Sequence, residues 1–171
     1  SLQENNVIAK INIEYGLVTD YFGLGYKDWS QSALDASNKD NRINIQPWPV
    51  KGMYQPDTIV VISKEINGEM YDYVLMANEG DAKEYDGYSE EVRVKDLTLD
   101  PSVFPNAEEL QKNENLGRLK TTTAMGDANN DGFYEEIYGY GGRSFAIMDG
   151  NSGNIIYDSG NDIAVRTAFS G

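Results

Sequence analysis

The sequence contains no cysteine and no histidine among its 171 residues. Without cysteine, the chain has no disulfide framework, no thiol nucleophile and no cysteine-ligated structural zinc site. Without histidine, it lacks the commonest general base, the Ser-His-Asp arrangement and the ligand on which most transition-metal sites rely. Any catalysis would therefore depend on carboxylates, tyrosine, lysine, arginine or a bound metal ion.

Basic residues are also scarce, because 14 lysines and arginines stand against 28 aspartates and glutamates, for a formal net charge of -14. This charge disfavours nucleic acids and anionic membranes as partners, and it suits cation binding as well as simple solubility. No apolar run approaches the ~18 residues of a transmembrane helix, so we expect no membrane span in this chain. The 40% of hydrophobic residues predicts a folded globular chain.

Residues 126–137, with the sequence GDANNDGFYEEI, place oxygen-bearing side chains at alternate positions of a short loop. Positions are counted from Asp127. Oxygens on the first, third and fifth positions of such a loop converge on one point, as Ca²⁺ requires, and glycine at the sixth position permits the sharp turn. The seventh position adds a backbone carbonyl and the ninth a carboxylate. The predicted calcium ligands are Asp127, Asn129, Asp131, the carbonyl of Phe133, and Glu135.

The loop differs from an EF-hand, since its twelfth position is Tyr138 instead of a bidentate glutamate and the residues after it are strand-like. We therefore expect a loop between two strands. The alternative is that residues 130–132, Asn-Asp-Gly, form a hairpin turn and bind no metal, because these residues are the usual turn formers.

Alternating apolar and polar residues predict hairpins at residues 7–22 and 58–77, with residues 58–63 as a buried strand. Four more strands are predicted within residues 119–157, and a short helix capped by Asn106 is predicted over residues 107–112. Long loop insertions are expected at about residues 26–56 and 78–115.

Repeated hairpins with four strands to a unit are typical of β-propellers. We therefore predict an all-β fold that is a partial β-propeller of two to three blades, with residues 119–157 as one blade. Because a propeller closes with about four to eight blades, residues 1–171 are expected to be a single fragment of a larger propeller-like domain. The alternative is a compact β-rich domain that closes its sheets in another way.

Two further groups of acidic residues lie in the predicted insertions. Glu79, Asp81 and Asp86 follow directly after a strand, where binding sites are often built, and Asp35 and Asp40 lie in the first insertion. Each group is a weaker candidate for a second cation site. The alternative for both is a solvated acidic loop.

Several segments in order along the chain resemble the choice-of-anchor I family, which is similar to mesenchyme-specific cell-surface glycoproteins linked to biomineralisation. They include LQENN (2–6), LDAS (34–37), WPVKGMYQPD (48–57), ANEGD (77–81), EVR (91–93), NLGRLK (115–120), the loop itself, RSF (143–145) and YDSG (157–160). The resemblance implies a secreted or wall-anchored protein with a propeller-like domain, calcium association, and a signal and anchor outside this fragment. The family loop tends to have aspartate where Asn129 and Glu135 stand here, which predicts weaker calcium binding.

These observations favour a non-catalytic extracellular module that binds Ca²⁺ and presents acidic loops to a protein or glycan ligand. One alternative is a metal-dependent, phosphatase-like phosphoesterase, because some family members carry that label. In it Glu79, Asp81 and Asp86 would hold metal and Arg93 or Arg143 would bind phosphate, although the absence of histidine counts against it. A third hypothesis is a mineral- or cation-binding acidic surface.

Overall fold

A computed structural model describes residues 1–170, so Gly171, the last residue of the predicted unit, lies outside the described residues. The fold is all-β with two short helices. The strands are β1 (Val7–Asn12), β2 (Leu17–Gly23), β3 (Tyr26–Asp28), β4 (Ala33–Asp35), β5 (Ile45–Pro47), β6 (Lys51–Met53), β7 (Pro56–Ile66), β8 (Glu69–Asn78), β9 (Glu84–Tyr85), β10 (Tyr88–Ser89), β11 (Glu91–Arg93), β12 (Lys120–Thr122), β13 (Tyr138–Gly139), β14 (Ser144–Asp149) and β15 (Ile155–Asp158). The helices are α1 (Ala107–Leu110) and α2 (Asp162–Ala168), and single 3-10 turns cover Gln3–Asn5 and Val94–Asp96.

One antiparallel sheet has the strand order β15-β14-β8-β7 and is built on the long hairpin of β7 and β8. Strand β14 pairs with β8 along its whole length, with Ala146 opposite Met76. The inner face of this sheet buries Met76, Ala146 and Met148, and Ile8 of β1 packs into the same cluster. The β1-β2 hairpin, predicted from its alternating pattern, is thereby confirmed and covers this sheet.

Strand β7 is more exposed than the sequence predicts. Residues 58–63 were expected to form a buried strand, but Val60, Val61 and Ile62 are each about half exposed. The physical reason is position, because β7 is an edge strand with β8 as its one partner in the sheet. The β-branched run therefore reflects the preference of these residues for extended backbone and not their burial.

A second sheet has the order β11-β12-β13-β6-β3 and covers the larger core, which contains Trp29, Trp48, Val94, Leu116 and Ile137. Its β13 and β6 strands are parallel and its other pairs antiparallel. The first predicted insertion, residues 26–56, is therefore not an irregular loop. It contributes β3 and β6 to this sheet, and its β4 and β5 pair with each other.

The prediction that residues 119–157 form one blade is wrong, because the four strands of this segment are divided between two sheets. Strands β12 and β13 join the five-stranded sheet, whereas β14 and β15 join the hairpin of β7 and β8. The parallel partner of β13 comes from residues 51–53, a long-range pairing that local patterning does not reveal.

The prediction of a single helix is also incomplete, because the described residues contain two helices. Helix α1 lies where a helix was expected, but the side chain of Asn106 makes no capping hydrogen bond. Helix α2 was not predicted, although Asn161 precedes it and Asp162 lies in its first turn, which is a recognised start signal.

The buried ammonium group of Lys27 joins the two large sheets. Lys27 lies on β3, and its Nζ is 3.0 Å from Oδ1 of Asp158 on β15. The same Nζ donates to the carbonyls of Gly142, at 3.0 Å, and of Gly160, and it lies 4.5 Å from the ring centroid of Trp29. Burial lowers the pKa of Lys27, and the hydrogen bond and charge of Asp158 oppose that shift.

Replacing this lysine should destabilise the fold strongly. We expect Lys27→Met to lower the free energy of unfolding by about 3 kcal/mol, since removing one partner of a buried ion pair leaves the other without compensation. The exposed Lys64→Met on β7 should change it by less than about 0.5 kcal/mol. Urea unfolding followed by tryptophan fluorescence measures both. Equal stability of the two variants would show that the Lys27 contacts do not join the sheets.

Candidate functional site

The predicted calcium loop connects β12 to β13, which pair antiparallel with Thr121 opposite Gly139. The expectation of a loop between two strands, and not of an EF-hand, is thus confirmed. Two backbone hydrogen bonds connect the loop to residues 98–100. The amide of Tyr134 donates to the carbonyl of Thr98 at 2.8 Å, and the amide of Asp100 donates to the carbonyl of Tyr134 at 3.0 Å. This contact could not be predicted, since residues 98–100 carry no motif.

Left-handed backbone at three positions gives the loop its shape: Gly126 has φ +104°, Asn130 +59° and Gly132 +89°. The carbonyl of Gly126 closes the loop by accepting from the amides of Glu135 at 2.8 Å and Glu136 at 3.1 Å. A Cβ atom on Gly126 would lie 2.2 Å from the carbonyl oxygen of Glu136, so this position has no room for a side chain. Gly132 has open space around it, and its backbone conformation alone favours glycine.

Backbone amides of the loop orient its carboxylates. Asp127 accepts from the amide of Asp131 at 3.1 Å and from that of Gly132 at 2.9 Å, and Glu135 accepts from the amide of Ala128 at 2.9 Å. Asp131 accepts from the amide of Phe133 at 2.8 Å, so backbone amides fix the direction of all three carboxylates. Asx-type bonds of this kind are also those of a turn built from Asn, Asp and Gly.

The carboxylates of Asp127, Asp131 and Glu135 converge, with one oxygen of each lying within 4.8 Å of the others. The side-chain nitrogen of Asn129 donates to Asp131 at 3.0 Å and to Glu135 at 3.1 Å, so the amide lies beside both groups. Like charges at this separation repel one another, and oxygen ligands at such spacing suit Ca²⁺. The side chains of four of the five predicted ligands are thus brought together. Phe133, which was expected to bind through its carbonyl, follows Gly132 in the same loop.

The other acidic candidates lie in different surroundings, except that Glu79 and Asp35 line one cavity. Asp81 accepts from the amide of Ala82 at 2.9 Å, and Asp40 is 3.3 Å from the guanidinium of Arg42. Asp86 lies in the turn between β9 and β10. Glu79 and Asp35 line a cavity together with several arginines. Across residues 1–170, none of these five belongs to a group of three converging carboxylates.

A sequence model of the choice-of-anchor I domain matches residues 1–170. The chain belongs to the choice-of-anchor I family. This confirms the resemblance drawn from its motifs, and it indicates that this choice-of-anchor I domain is part of a cell-surface-associated or secreted protein. No curated protein and no solved structure matches the chain. Among residues 1–170 of the choice-of-anchor I domain, neither helix has the length and apolar character needed to cross a bilayer.

Two glycine substitutions test the backbone of the loop. We expect Gly126→Ala to destabilise the protein by about 2–3 kcal/mol, because it adds a collision with the Glu136 carbonyl to the strain of a positive φ. Gly132→Ala meets the strain alone and should cost about 1 kcal/mol. Thermal unfolding in the presence of a chelator measures both without any contribution from calcium. A larger loss for Gly132→Ala would contradict this loop conformation.

Proposed function

We propose that the chain is a non-catalytic, calcium-binding module of an extracellular β-propeller-like surface protein. The observation that carries this proposal is the convergence of Asp127, Asp131 and Glu135 in a loop whose amides already orient them. The ligand set is that of a hard oxygen-preferring cation, with three carboxylates and the carbonyl of Phe133. Asn129 would add its side-chain oxygen if the amide group turned, because its nitrogen now donates to Asp131 and Glu135.

The proposed role of the ion is structural. The loop joins β12 to β13 and also contacts residues 98–100, so a cation there would hold three separate parts of the chain in register. It would also neutralise part of the repulsion in a chain with a net charge of -14. Calcium binding would accordingly raise the stability of the folded state by mass action.

Support for a partial propeller comes from the sheet β15-β14-β8-β7, which has the four antiparallel strands of a blade. The parallel pair in the other sheet is unlike a blade, so the propeller character is proposed for the four-stranded sheet. Apolar side chains stand exposed on the outer hairpins, among them Ile11, Leu17 and Tyr21 of the first and Val61 of the second. Such surfaces suit packing against further blades of the parent protein.

The second insertion offers a surface for a protein or glycan ligand. Strands β9 and β10 form a small hairpin with Asp86 in its turn and Glu84 at its base, both exposed. The rings of Tyr85 and Tyr88 stack at 6.3 Å between centroids, and both remain exposed. Exposed tyrosines beside carboxylates are typical of recognition surfaces, because they offer rigid apolar area and hydrogen bonds together.

Calorimetric titration with Ca²⁺ tests the proposal directly. We expect one saturable site, and at a free concentration 100 times its Kd calcium should stabilise the protein by about 2.7 kcal/mol. Asp131→Asn keeps the shape of the side chain but removes a ligand charge, so it should weaken binding at least about tenfold. The control is Asp20→Asn, which alters an exposed carboxylate on β2 and should bind calcium as the unaltered protein does.

The same titration separates the other hypotheses. Many weak sites, weakened equally by both substitutions, would favour the mineral-binding surface. Metal-dependent turnover of a phosphoester by the intact protein would replace the non-catalytic proposal with the phosphoesterase one. Unchanged affinity and melting temperature in Asp131→Asn would show that residues 127–135 form a turn and no calcium site.

A further inference from the structure

A cavity of about 420 Å³ lies where several distant segments of the chain meet, and its charged lining is mainly positive. Its size is within the ~300–1,000 Å³ of typical small-molecule sites. Four cationic side chains and two carboxylates line it: Arg93, Arg118, Lys120, Arg143, Asp35 and Glu79.

This concentration of positive charge is unusual for so acidic a chain. Three of the five arginines in the sequence line this one cavity, although acidic residues outnumber basic ones by two to one. Lys120 is paired with Glu91 at 2.9 Å. None of the three arginines forms an ion pair with any carboxylate in residues 1–170. Asp35 and Glu79 offset part of this positive charge, and a bound anion would offset the excess that remains.

Each of these arginines is held in place by one hydrogen bond. Arg93 donates to the carbonyl of Arg118 at 2.6 Å, and Arg143 donates to the carbonyl of Asp35 at 3.2 Å. Arg118 donates from Nε to the side-chain oxygen of Asn38 at 3.3 Å. A guanidinium has five N–H donors, so most of the donors of each side chain stay available. Fixed guanidinium groups of this kind bind carboxylate and phosphate groups in paired hydrogen bonds.

The backbone around Arg143 is strained and tightly packed. Arg143 has φ +46°, an uncommon value for a residue with a side chain. A Cβ on Gly141 would lie 1.7 Å from the carbonyl oxygen of Glu79, and one on Gly80 would lie 2.2 Å from the amide nitrogen of Gly141. Close packing of these two segments thus sets the position of Arg143. Strain of this kind persists where the surrounding structure holds it, and functional sites are a common location.

Two buried polar atoms of lining residues lack a normal hydrogen bond. Oδ1 of Asp35 makes no hydrogen bond within residues 1–170, and the hydroxyl of Tyr140 has a contact with Thr122 that falls short of normal hydrogen-bond geometry. Burial raises the pKa of Tyr140, an effect that the nearby Thr122 only partly offsets, so the hydroxyl keeps a proton to donate. The carboxylate oxygen of Asp35 can accept from a hydroxyl or amine. Buried polar atoms are normally satisfied, so the two atoms are candidate contacts for a polar ligand that enters beside Asp35 and Tyr140.

We propose that this cavity binds a sugar-sized organic anion, whose carboxylate or phosphate group is held by the three arginines and whose hydroxyl groups meet Asp35 and Tyr140. Acidic sugars have this combination of charge and hydroxyls, whether they are free or stand at the end of a glycan. The site is separate from the calcium loop, because the cavity and the loop share no residue. The loop offers oxygens to a cation, whereas the cavity offers N–H donors to an anion.

Calorimetric titration of the protein with galacturonate, glucose 6-phosphate and neutral galactose tests this assignment. Both acids should bind saturably and more weakly as salt is added, whereas galactose should not bind. Arg118→Gln keeps an amide donor but loses the charge, and it should weaken binding of the acids at least about tenfold. The matched control is Arg166→Gln on α2, which does not line the cavity and should leave binding unchanged.

Two further measurements exclude other causes of weak binding, namely unfolding of a variant and a contribution from calcium. Urea unfolding of each variant shows whether it is folded, and Arg93→Gln serves as the second cavity variant if Arg118→Gln is not. Titrations in a chelator separate this site from the calcium loop, because acids should bind without calcium even if the loop binds no ion. Equal binding of galactose, binding that depends on calcium, full affinity in the cavity variants, or no binding of either acid would each overturn the proposal. A glycan chain ending in galacturonate that binds more tightly than the free acid would identify a glycan as the source.

Discussion

The contact between Lys27 and Asp158 is the constraint on which the arrangement of the two large sheets depends. The ammonium group of Lys27 exchanges water for the carboxylate of Asp158, the carbonyls of Gly142 and Gly160, and the ring of its near neighbour Trp29. Asp158 is satisfied in turn by the hydroxyl of Ser144 and the amide of Gly160. Because dehydrating these charges is costly, the network is stable only when all its members meet, and that requirement specifies one relative placement of the sheets.

The same placement brings the lining of the cationic cavity together. Gly142, whose carbonyl accepts from Lys27, directly precedes Arg143, and Gly141 packs against Glu79 and Gly80. The ion pair between the sheets and the arginine cavity are therefore adjacent in the chain and share one strained segment. A change in how the sheets meet would move Arg143 relative to Arg93, which lies on β11 in the other large sheet.

The sequence predicted local features well and long-range ones poorly. The hairpins and the loop between β12 and β13 follow from alternation and from turn residues, which act over a few positions. The convergence of Asp127, Asp131 and Glu135 could likewise be predicted from the sequence, since all three lie within nine residues. The division of residues 119–157 between two sheets was not, because β13 pairs with residues 51–53. Arg93 and Arg143 were candidates for binding phosphate, but their meeting with Arg118 in one cavity could not be predicted, because the three lie in separate segments that the sheets bring together.

The exposed edge of β7 also matters for how the molecule behaves in solution. Its 11 residues have β8 as their one partner in the sheet, and half-exposed Val60, Val61 and Ile62 lie at its centre. A strand of this kind is a template on which another strand can add through backbone hydrogen bonds. Lys64 and Glu65 place charges near one end of the strand, where they restrict such pairing. Along the remainder of β7, the backbone groups of the open edge can pair with one more strand.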